Sequence, residues 1–226
     1  MACMPIEVSL LDGVPGADLA KAIALANGLQ AEFRFSQLTP EESGPLRLHS
    51  YRQARAAALL DVCASFRGKL PGYHPFLIAV TDSRLEGKAL TNLFGSHDAE
   101  RGVAIVTIAD VSDVVLPSSK MAAYYAYYLA RYTLSFVAPQ KKSHDDTKQC
   151  VFDRKIWKRD ILKSMRPRAL CDDCRTELIL DDRMSPTQSA ALDMIFAAAG
   201  DLMNSDGATK KPRVFVGSSR AVSRRV

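Results

Sequence analysis

Three cysteines and one histidine lie in a single stretch of the chain and could together bind a metal ion. His144 precedes Cys150 by six residues, and Cys171 and Cys174 follow after twenty intervening residues. Two cysteines separated by two residues can reach one ion from a tight turn, with each thiolate about 2.3 Å from the metal. Three thiolates and one imidazole complete a tetrahedral zinc site, and such closed sites are structural. The stretch therefore predicts a zinc ion that stabilises the fold.

The fourth ligand has two candidates in the sequence, His144 and the adjacent Asp145. Imidazole is the commoner partner of thiolates in zinc sites, which favours His144. The alternative is that the cysteines are unligated thiols, because a two-residue spacing also arises by chance. A third cysteine in the same stretch favours the metal site.

Alternating strands and helices must position these residues. Runs of apolar or alternating residues predict strands, and helical periodicity with capping residues predicts helices. Their alternation indicates an α/β protein with a mixed sheet. The predicted strands span residues 6–11, 31–35, 76–81 and 102–109, the predicted helices span residues 18–29, 51–66, 120–137, 153–165 and 186–199, and residues 39–48 and 85–95 are predicted loops.

Composition excludes several classes of protein. With 226 residues, 47% of them hydrophobic, the chain can form a full core. Its longest apolar runs, such as residues 103–108, are too short to cross a bilayer, so we expect no membrane segment. The first residues lack a basic segment and a long apolar run, so we expect no secretory signal. Five cysteines, an odd number, then favour a reducing, cytoplasmic location over a disulfide framework.

The formal net charge of +5 is concentrated at the C-terminus, and the rest of the chain is nearly neutral. A neutral body disfavours nucleic acid as a partner, although a basic tail can bind phosphates weakly. The basic residues of the last seventeen positions are Lys210, Lys211, Arg213, Arg220, Arg224 and Arg225.

Several motifs are similar to those of a known family. Residues 77–82 (LIAVTD), 92–95 (NLFG) and 102–107 (GVAIVT) resemble the strand, loop and second strand that precede the active-site helix of archaemetzincins, zinc metallopeptidases of the metzincin clan. The segment 144–151 and the cysteine pair at 171–174 resemble the cysteine module of that family. The resemblance implies a mixed α/β fold of metzincin type, with a C-terminal subdomain that binds structural zinc through its cysteines.

The catalytic motif of that family is missing. Archaemetzincins carry His-Glu-x-x-His on a helix, where two histidines at i and i+4 bind catalytic zinc and the glutamate activates water. The best match here is the segment Tyr128-Leu129-Ala130-Arg131-Tyr132. The resemblance also aligns the family's third histidine with His144 and its first structural cysteine with Asp145. It therefore implies that the catalytic site is lost and that the structural zinc site survives in altered form.

Two functions are consistent with these observations. Loss of the catalytic motif beside a retained cysteine module favours a non-catalytic, zinc-stabilised pseudopeptidase module, which acts as a sensor or adaptor for a protein effector or regulatory ligand. The alternative is a divergent zinc hydrolase whose site is rebuilt from His74, His97 or His144. A stripe of tyrosines on one helix could line a ligand pocket, although such a stripe is more often core. The stripe comprises Tyr124, Tyr125, Tyr127, Tyr128 and Tyr132.

The organisation of the chain is predicted to change near residue 204. Residues 205–212 have the composition of a linker, and residues 213–219 (RVFVGSS) resemble the first strand of a bacterial TIR-like domain. We therefore expect a pseudopeptidase domain over residues 1–204 and a basic tail over residues 205–226. The TIR-like resemblance implies an attached or associated effector and a role in antiphage defence. Pairing of the tail strand between two copies would instead make a homo-oligomer.

Overall fold

Most of the chain is described by the computed structural model. The predicted TIR-like strand, residues 213–219, and nearly all of the predicted linker lie outside the described residues. The described ranges are 3–11, 14–46, 53–68, 76–88, 90–112, 114–139, 143–145, 148–155, 160–165 and 170–205.

Strands and helices alternate along the described residues, as predicted. The elements are β1 Met4–Leu10, α1 Ala17–Leu29, β2 Phe33–Gln37, α2 Pro40–Ser43, β3 Gln53–Arg55, α3 Ala56–Arg67, β4 Phe76–Thr81, β5 Arg84–Glu86, β6 Gly95–Asp98, β7 Val103–Thr107, α4 Met121–Val137, α5 Ile161–Ser164, α6 Asp172–Leu180 and α7 Pro186–Asn204. Five strands form one sheet in the order β2-β1-β4-β7-β6, and β3 pairs with β5 in a second, two-stranded sheet. All pairs are parallel except β6 with β7, so the predicted mixed α/β fold is confirmed.

The main sheet is covered by helices on both faces. In β4, Ile78 and Val80 belong to the core that includes α1, α4 and α7. Leu77 and Ala79, which point the other way, belong to a second core with α3. Strands buried on both faces are continuous apolar runs, and for this reason the bounds of β4 could be predicted from the sequence.

Helix α4 is buried around nearly its whole circumference. It packs against β4, α1 and α7, and all five tyrosines of the stripe are at most 5% exposed. A helix that is apolar all round belongs inside a protein. The tyrosine stripe is therefore part of the hydrophobic core. Within the described residues, α4 and the other helices lack the combination of length and apolar character needed to cross a membrane.

The predicted loop over residues 39–48 contains the short helix α2. Thr39 caps this helix, because its side chain accepts a hydrogen bond from the backbone N–H of Glu42 and its own N–H donates to the Glu42 carboxylate. Pro40 follows at the first helical position, where an N–H is not needed. The prolines indicated a loop, but the capping box and the proline at this position favour a helix start.

Helix α7 begins at the predicted cap and extends further than predicted. Ser185 and Gln188 form a capping box, with Pro186 at the first helical position. Gly200, the predicted stop, lies buried inside the helix, which continues to Asn204. Packing against α4 therefore outweighs the low helix propensity of glycine.

The helix predicted over residues 153–165 is present only at the C-terminal end of the described part of that range. Asp153 instead pairs with His144 in an isolated bridge, and helix α5 is confined to residues 161–164. The reason is local, because the Asp153 carboxylate accepts backbone hydrogen bonds from the preceding residues and so stabilises a turn. Residues 156–159 lie outside the described residues.

Two predicted segments contain short strands that were not predicted. The predicted helix 51–66 begins only at Ala56, because residues 53–55 form strand β3. The predicted loop 85–95 includes most of β5, and its last residue, Gly95, begins β6. These short strands carry too few residues to show an alternating pattern in the sequence.

Candidate metal centre

One cluster of side chains, here called the metal cluster, brings together His144, Cys150, Cys171 and Cys174. Their ligand atoms all lie within 4.8 Å of one another. Nε2 of His144 is 3.0 Å from Sγ of Cys174 and 3.5 Å from Sγ of Cys171. The Sγ atoms of Cys150 and Cys174 are 3.9 Å apart. Ligands of a tetrahedral zinc ion are about 3.5–3.8 Å apart when the metal–ligand distances are about 2.0–2.3 Å. The cluster therefore has the donor atoms and spacing for one zinc ion.

Backbone hydrogen bonds hold His144 beside the segment that carries the first cysteine. The His144 N–H donates to the Phe152 carbonyl at 2.9 Å, and the Arg154 N–H donates to the His144 carbonyl at 3.0 Å. Residues 143–145 and 148–155 are here called the metal loop. Both backbone groups of His144 are therefore bonded, which fixes its position beside the segment that carries Cys150.

The Asp153 side chain stabilises the turn that presents Cys150. Its carboxylate accepts hydrogen bonds from the backbone N–H of Cys150 at 3.0 Å and of Lys148 at 3.2 Å. Gln149, between these two residues, has a φ of 58° in the left-handed region. Asp153 is buried, and its hydrogen bonds offset the cost of removing its charge from water. The turn is thus fixed by a buried carboxylate.

The second cysteine pair lies at the start of α6. Cys171 is the N-cap residue, and Cys174 lies three residues later on the same face. The Cys171 N–H also points to Sγ of Cys150 at 3.5 Å. Unpaired N–H groups and the dipole at a helix N-terminus favour thiolates. The predicted turn between these cysteines is therefore the first turn of a helix, which supplies both geometry and favourable electrostatics.

An ion pair connects α6 to the body of the fold. Arg175, next to Cys174, donates through both terminal nitrogens to the carboxylate of Asp193 on α7, with Nη2 to Oδ1 at 3.0 Å. The same guanidinium donates to the hydroxyl of Ser189 at 2.9 Å. Bidentate pairs of this kind fix orientation. The cysteine pair is therefore held on an element anchored to the core.

Asp145, the alternative fourth ligand, lies outside the metal cluster. Its side chain is 95% exposed, and its carboxylate lies 3.9 Å from the Arg154 guanidinium. The geometry therefore does not support Asp145 as a ligand. Of the two candidates, the structure brings His144 to the thiols.

The electrostatics of the metal cluster fit a structural ion. Burial raises the pKa of the Cys150 thiol, while the N–H groups of Cys171 and Phe152 act in the opposite direction. Zinc deprotonates a coordinating thiol and so stabilises the thiolate in this buried setting. Four protein ligands leave no position for a catalytic water. Three thiolates and one imidazole are the donor set of a structural zinc site.

The segment 128–132, which the resemblance aligns with the catalytic motif of archaemetzincins, offers no second metal site. The Tyr132 hydroxyl donates to the Ile105 carbonyl of β7 at 3.0 Å, and the Tyr128 ring packs 4.7 Å from the ring of Tyr124. Leu129 is only 2% exposed. Among the described residues, the metal cluster is the one group of histidine, cysteine and acidic side chains with metal-binding spacing.

Gly95 at the start of β6 makes room for Tyr132. A Cβ atom at this position would lie 2.0 Å from the Tyr132 hydroxyl oxygen and 2.2 Å from the Ile105 carbonyl oxygen. Both distances are far inside van der Waals contact. Gly95 is therefore required by the close approach of the Tyr132 hydroxyl and the Ile105 carbonyl.

The histidines proposed for a rebuilt hydrolase site do not converge in the described residues. His97 lies exposed on β6, with its ring 6.0 Å from the Tyr132 ring. His144 belongs to the metal cluster. His74 lies outside the described residues.

The structure is similar to solved structures of zinc peptidases. A zinc-dependent peptidase from Methanocorpusculum labreanum (strain Z) matches with a TM-score of 0.56 and 16% identity, over 76% of this chain and 99% of that chain. The archaemetzincin of Methanopyrus kandleri matches with a TM-score of 0.53 and 20% identity, over 80% of this chain and 96% of that chain. The archaemetzincin of Archaeoglobus fulgidus, complexed with malonate, matches with a TM-score of 0.51 and 15% identity, over 77% of this chain and 99% of that chain. The chain has an archaemetzincin-like fold.

The archaemetzincin-like fold is recognisable in structure rather than in overall sequence. No protein-family model matches the chain, and no curated protein matches it. This agrees with the resemblance drawn from short motifs, which are too few and too altered to carry a whole-chain match.

Sequence reasoning missed three residues that belong to or contact the metal loop of this archaemetzincin-like fold. Asp153 follows Cys150 by three residues, and an aspartate that close to a turn is a recognisable signal for side chain to backbone bonding. Arg131 lies over the Phe152 ring, and Lys155 donates to backbone carbonyls of the metal loop, so the two are neighbours only in the folded chain. Nothing in the linear sequence brings those two together.

Proposed function

We propose that this chain is a non-catalytic, zinc-stabilised pseudopeptidase module that recognises a protein or regulatory ligand and controls an attached or associated effector. The observation that carries the proposal is the packing of α4. Tyr128 and Tyr132, which stand where the resemblance places the catalytic histidines, are 5% and 4% exposed. The catalytic position is thus filled by core side chains, while the structural metal cluster is complete.

The side chains of this segment lack the chemistry of a zinc peptidase. Burial raises the pKa of the Tyr128 and Tyr132 phenols, which therefore stay neutral and act as hydrogen-bond donors. Leu129, in place of the glutamate, has no group that can take a proton from water. Rebuilding the motif would place a glutamate in the apolar core, which is costly without a partner.

A peptidase assay tests the non-catalytic half of the proposal. The purified chain is incubated with added zinc and a panel of quenched fluorescent peptides, beside the zinc-dependent peptidase of M. labreanum as positive control. We expect no turnover above the blank. The matched variant is Cys171→Ser,Cys174→Ser, which removes the metal cluster. Turnover that a chelator abolishes, and that persists in this variant, would establish a separate catalytic metal and overturn the proposal.

The regulatory half of the proposal is supported by the C-terminal sequence. Residues 213–219 resemble the first strand of a TIR-like domain, and domains of that kind act as effectors in antiphage defence. We expect a gene for a TIR protein or a nucleotide cyclase beside the gene of this chain. Its product should copurify with the full chain and not with a chain truncated after Ser205. Copurification that is unaffected by the truncation would place recognition in residues 1–204.

The oligomeric state and nucleic-acid binding can be tested with the same truncation. Light scattering distinguishes a monomer from a homo-oligomer that pairs through the tail, because truncation after Ser205 would dissociate the latter. Weak binding of nucleic acid by the basic tail would fall with rising salt and disappear on truncation. Binding that survives truncation would contradict the assignment of the body as neutral.

A further inference from the structure

Among the described residues, two cations at the metal loop have no carboxylate partner: Lys155, which belongs to the loop, and Arg131, which packs against it. The Arg131 guanidinium of α4 lies over the Phe152 ring at 5.0 Å from its centroid and donates to the Ser135 hydroxyl at 2.6 Å. The Lys155 ammonium donates to the carbonyls of Val151 and Asp153, both at 3.2 Å. Both side chains are partly buried, where an uncompensated charge is unfavourable.

Among the described cations of residues 143–180, only Lys155 lacks a carboxylate partner. Its pKa is lowered to about 8, first by burial and then by the charge of Arg131, whereas Asp153, Cys150 and Asp160 act in the opposite direction. The two cations therefore lie close enough to repel one another. Every other described cation in this range has a carboxylate partner: Lys148 with Asp173 at 3.1 Å, Arg154 with Asp145 at 3.9 Å, Lys163 with Asp160 at 3.8 Å, and Arg175 with Asp193.

Zinc ligation supplies the missing negative charge. A divalent ion bound by three thiolates and a neutral imidazole has a net charge of about −1. Asp153, whose carboxylate bonds to the Cys150 N–H, contributes one more negative charge beside the same loop. With the metal bound, these two negative charges match Arg131 and Lys155. Outer residues of this kind orient ligands and tune metal affinity.

We propose that Arg131 and Lys155 are outer-sphere cations of the zinc centre, which stabilise its three-thiolate form and connect α4 to metal binding. The inference deepens the proposed function, because it rests on zinc binding by the metal cluster. It also gives Arg131, which lies inside the segment that replaced the catalytic motif, a role in the surviving metal centre. The helix that no longer binds a catalytic ion thereby stabilises the structural one.

Zinc release from the full chain to a chromogenic chelator tests this inference. We expect Lys155→Gln and Arg131→Gln each to accelerate release by about tenfold, and the double variant to release faster than either. Lys155→Arg should retain the wild-type rate, because it keeps the charge. The matched control is Lys148→Gln, which removes one cation from the same loop, and it should leave the rate nearly unchanged because an exposed ion pair contributes little.

A spectroscopic readout separates charge from folding. Cobalt-substituted variants should keep the thiolate-to-metal absorption band of the wild type, which shows that the ligands still converge. Release rates of Lys155→Gln and Arg131→Gln equal to that of Lys148→Gln would overturn the inference. So would a Lys155→Arg variant as fast as Lys155→Gln, since packing and not charge would then be responsible. A wild-type chain without zinc would overturn the zinc assignment and this inference together. If zinc is bound but the release rates do not differ as expected, only the inference fails.

Discussion

Replacing Cys174 with serine should remove the contribution of zinc to stability. Cys174 is fully buried, with its Sγ 3.0 Å from Nε2 of His144 and 3.9 Å from Sγ of Cys150. A hydroxyl is a poor zinc ligand beside thiolates, so the variant loses one of four bonds and the closed geometry. Because the ligands converge only in the folded chain, metal binding is coupled to folding.

The size of the effect follows from linkage. At a free zinc concentration about a thousandfold above the dissociation constant, binding stabilises the folded state by about 4 kcal/mol. For a domain of this length, a loss of about 4 kcal/mol lowers Tm by about 8–16 °C. We expect Cys174→Ser to melt lower than the wild type by this amount and to show no further decrease when a chelator is added.

Cys63 provides the matched control for this experiment. It is also fully buried, but it lies on α3 in the core on the opposite face of the sheet, and burial raises its pKa to about 12. Cys63→Ser should lose some stability from packing and keep the full response to chelator. The measurement is differential scanning fluorimetry of the three proteins with and without chelator. A Cys174→Ser protein that retains zinc and chelator sensitivity would refute the assignment of this cluster.

Three further predictions concern the sheet, the pH dependence and the tail. Gly95→Ala should destabilise the fold by about 1–3 kcal/mol or more, because its Cβ would overlap the Tyr132 hydroxyl and a backbone carbonyl. In thermal melts, adding Tyr132→Phe should recover only part of the lost stability, and full recovery would contradict the overlap with the backbone. The zinc content of the chain, measured after dialysis, should fall as the pH drops below neutrality, because burial raises the pKa of Cys150 and protons then compete with the metal. The stability that zinc supplies is therefore present at higher pH and lost on acidification. Zinc loading that does not depend on pH would contradict thiolate ligation. Deleting residues 206–226 should leave Tm nearly unchanged, because the Lys120 ammonium still donates to the carbonyls of Leu202 and Ser205 at the end of α7. A decrease in Tm of several degrees would show that the tail is part of the fold.

The parts of the fold that the sequence predicts well are those with strong local patterns. Strand β4 is a continuous apolar run between two helical layers, and its bounds agree with the prediction. Ser185 and Pro186 mark the start of α7 because a cap and a proline at the first position act within one turn. The cysteine spacing likewise places Cys171 and Cys174 on one side of a single turn.

The parts that could not be predicted depend on contacts between distant residues. Gly200 lies inside α7 because the helix packs against α4, which no local pattern records. Strand β6 is too short for an alternating pattern, and its glycine is explained only by the Tyr132 hydroxyl and the Ile105 carbonyl that lie against it. The position of His144 beside the thiols, with Asp145 in solvent, depends on backbone bonds of the metal loop between residues that are eight to ten positions apart.

The metal assignment is tested most directly by the zinc content of the chain and of Cys171→Ser,Cys174→Ser, measured by elemental analysis after gel filtration. We expect one zinc per wild-type chain and none in the variant, because the metal cluster is the one group with metal-binding spacing among the described residues. Two zinc ions in the wild type, or one that remains in the variant, would show a second metal site and contradict the proposal that the chain holds only a structural zinc.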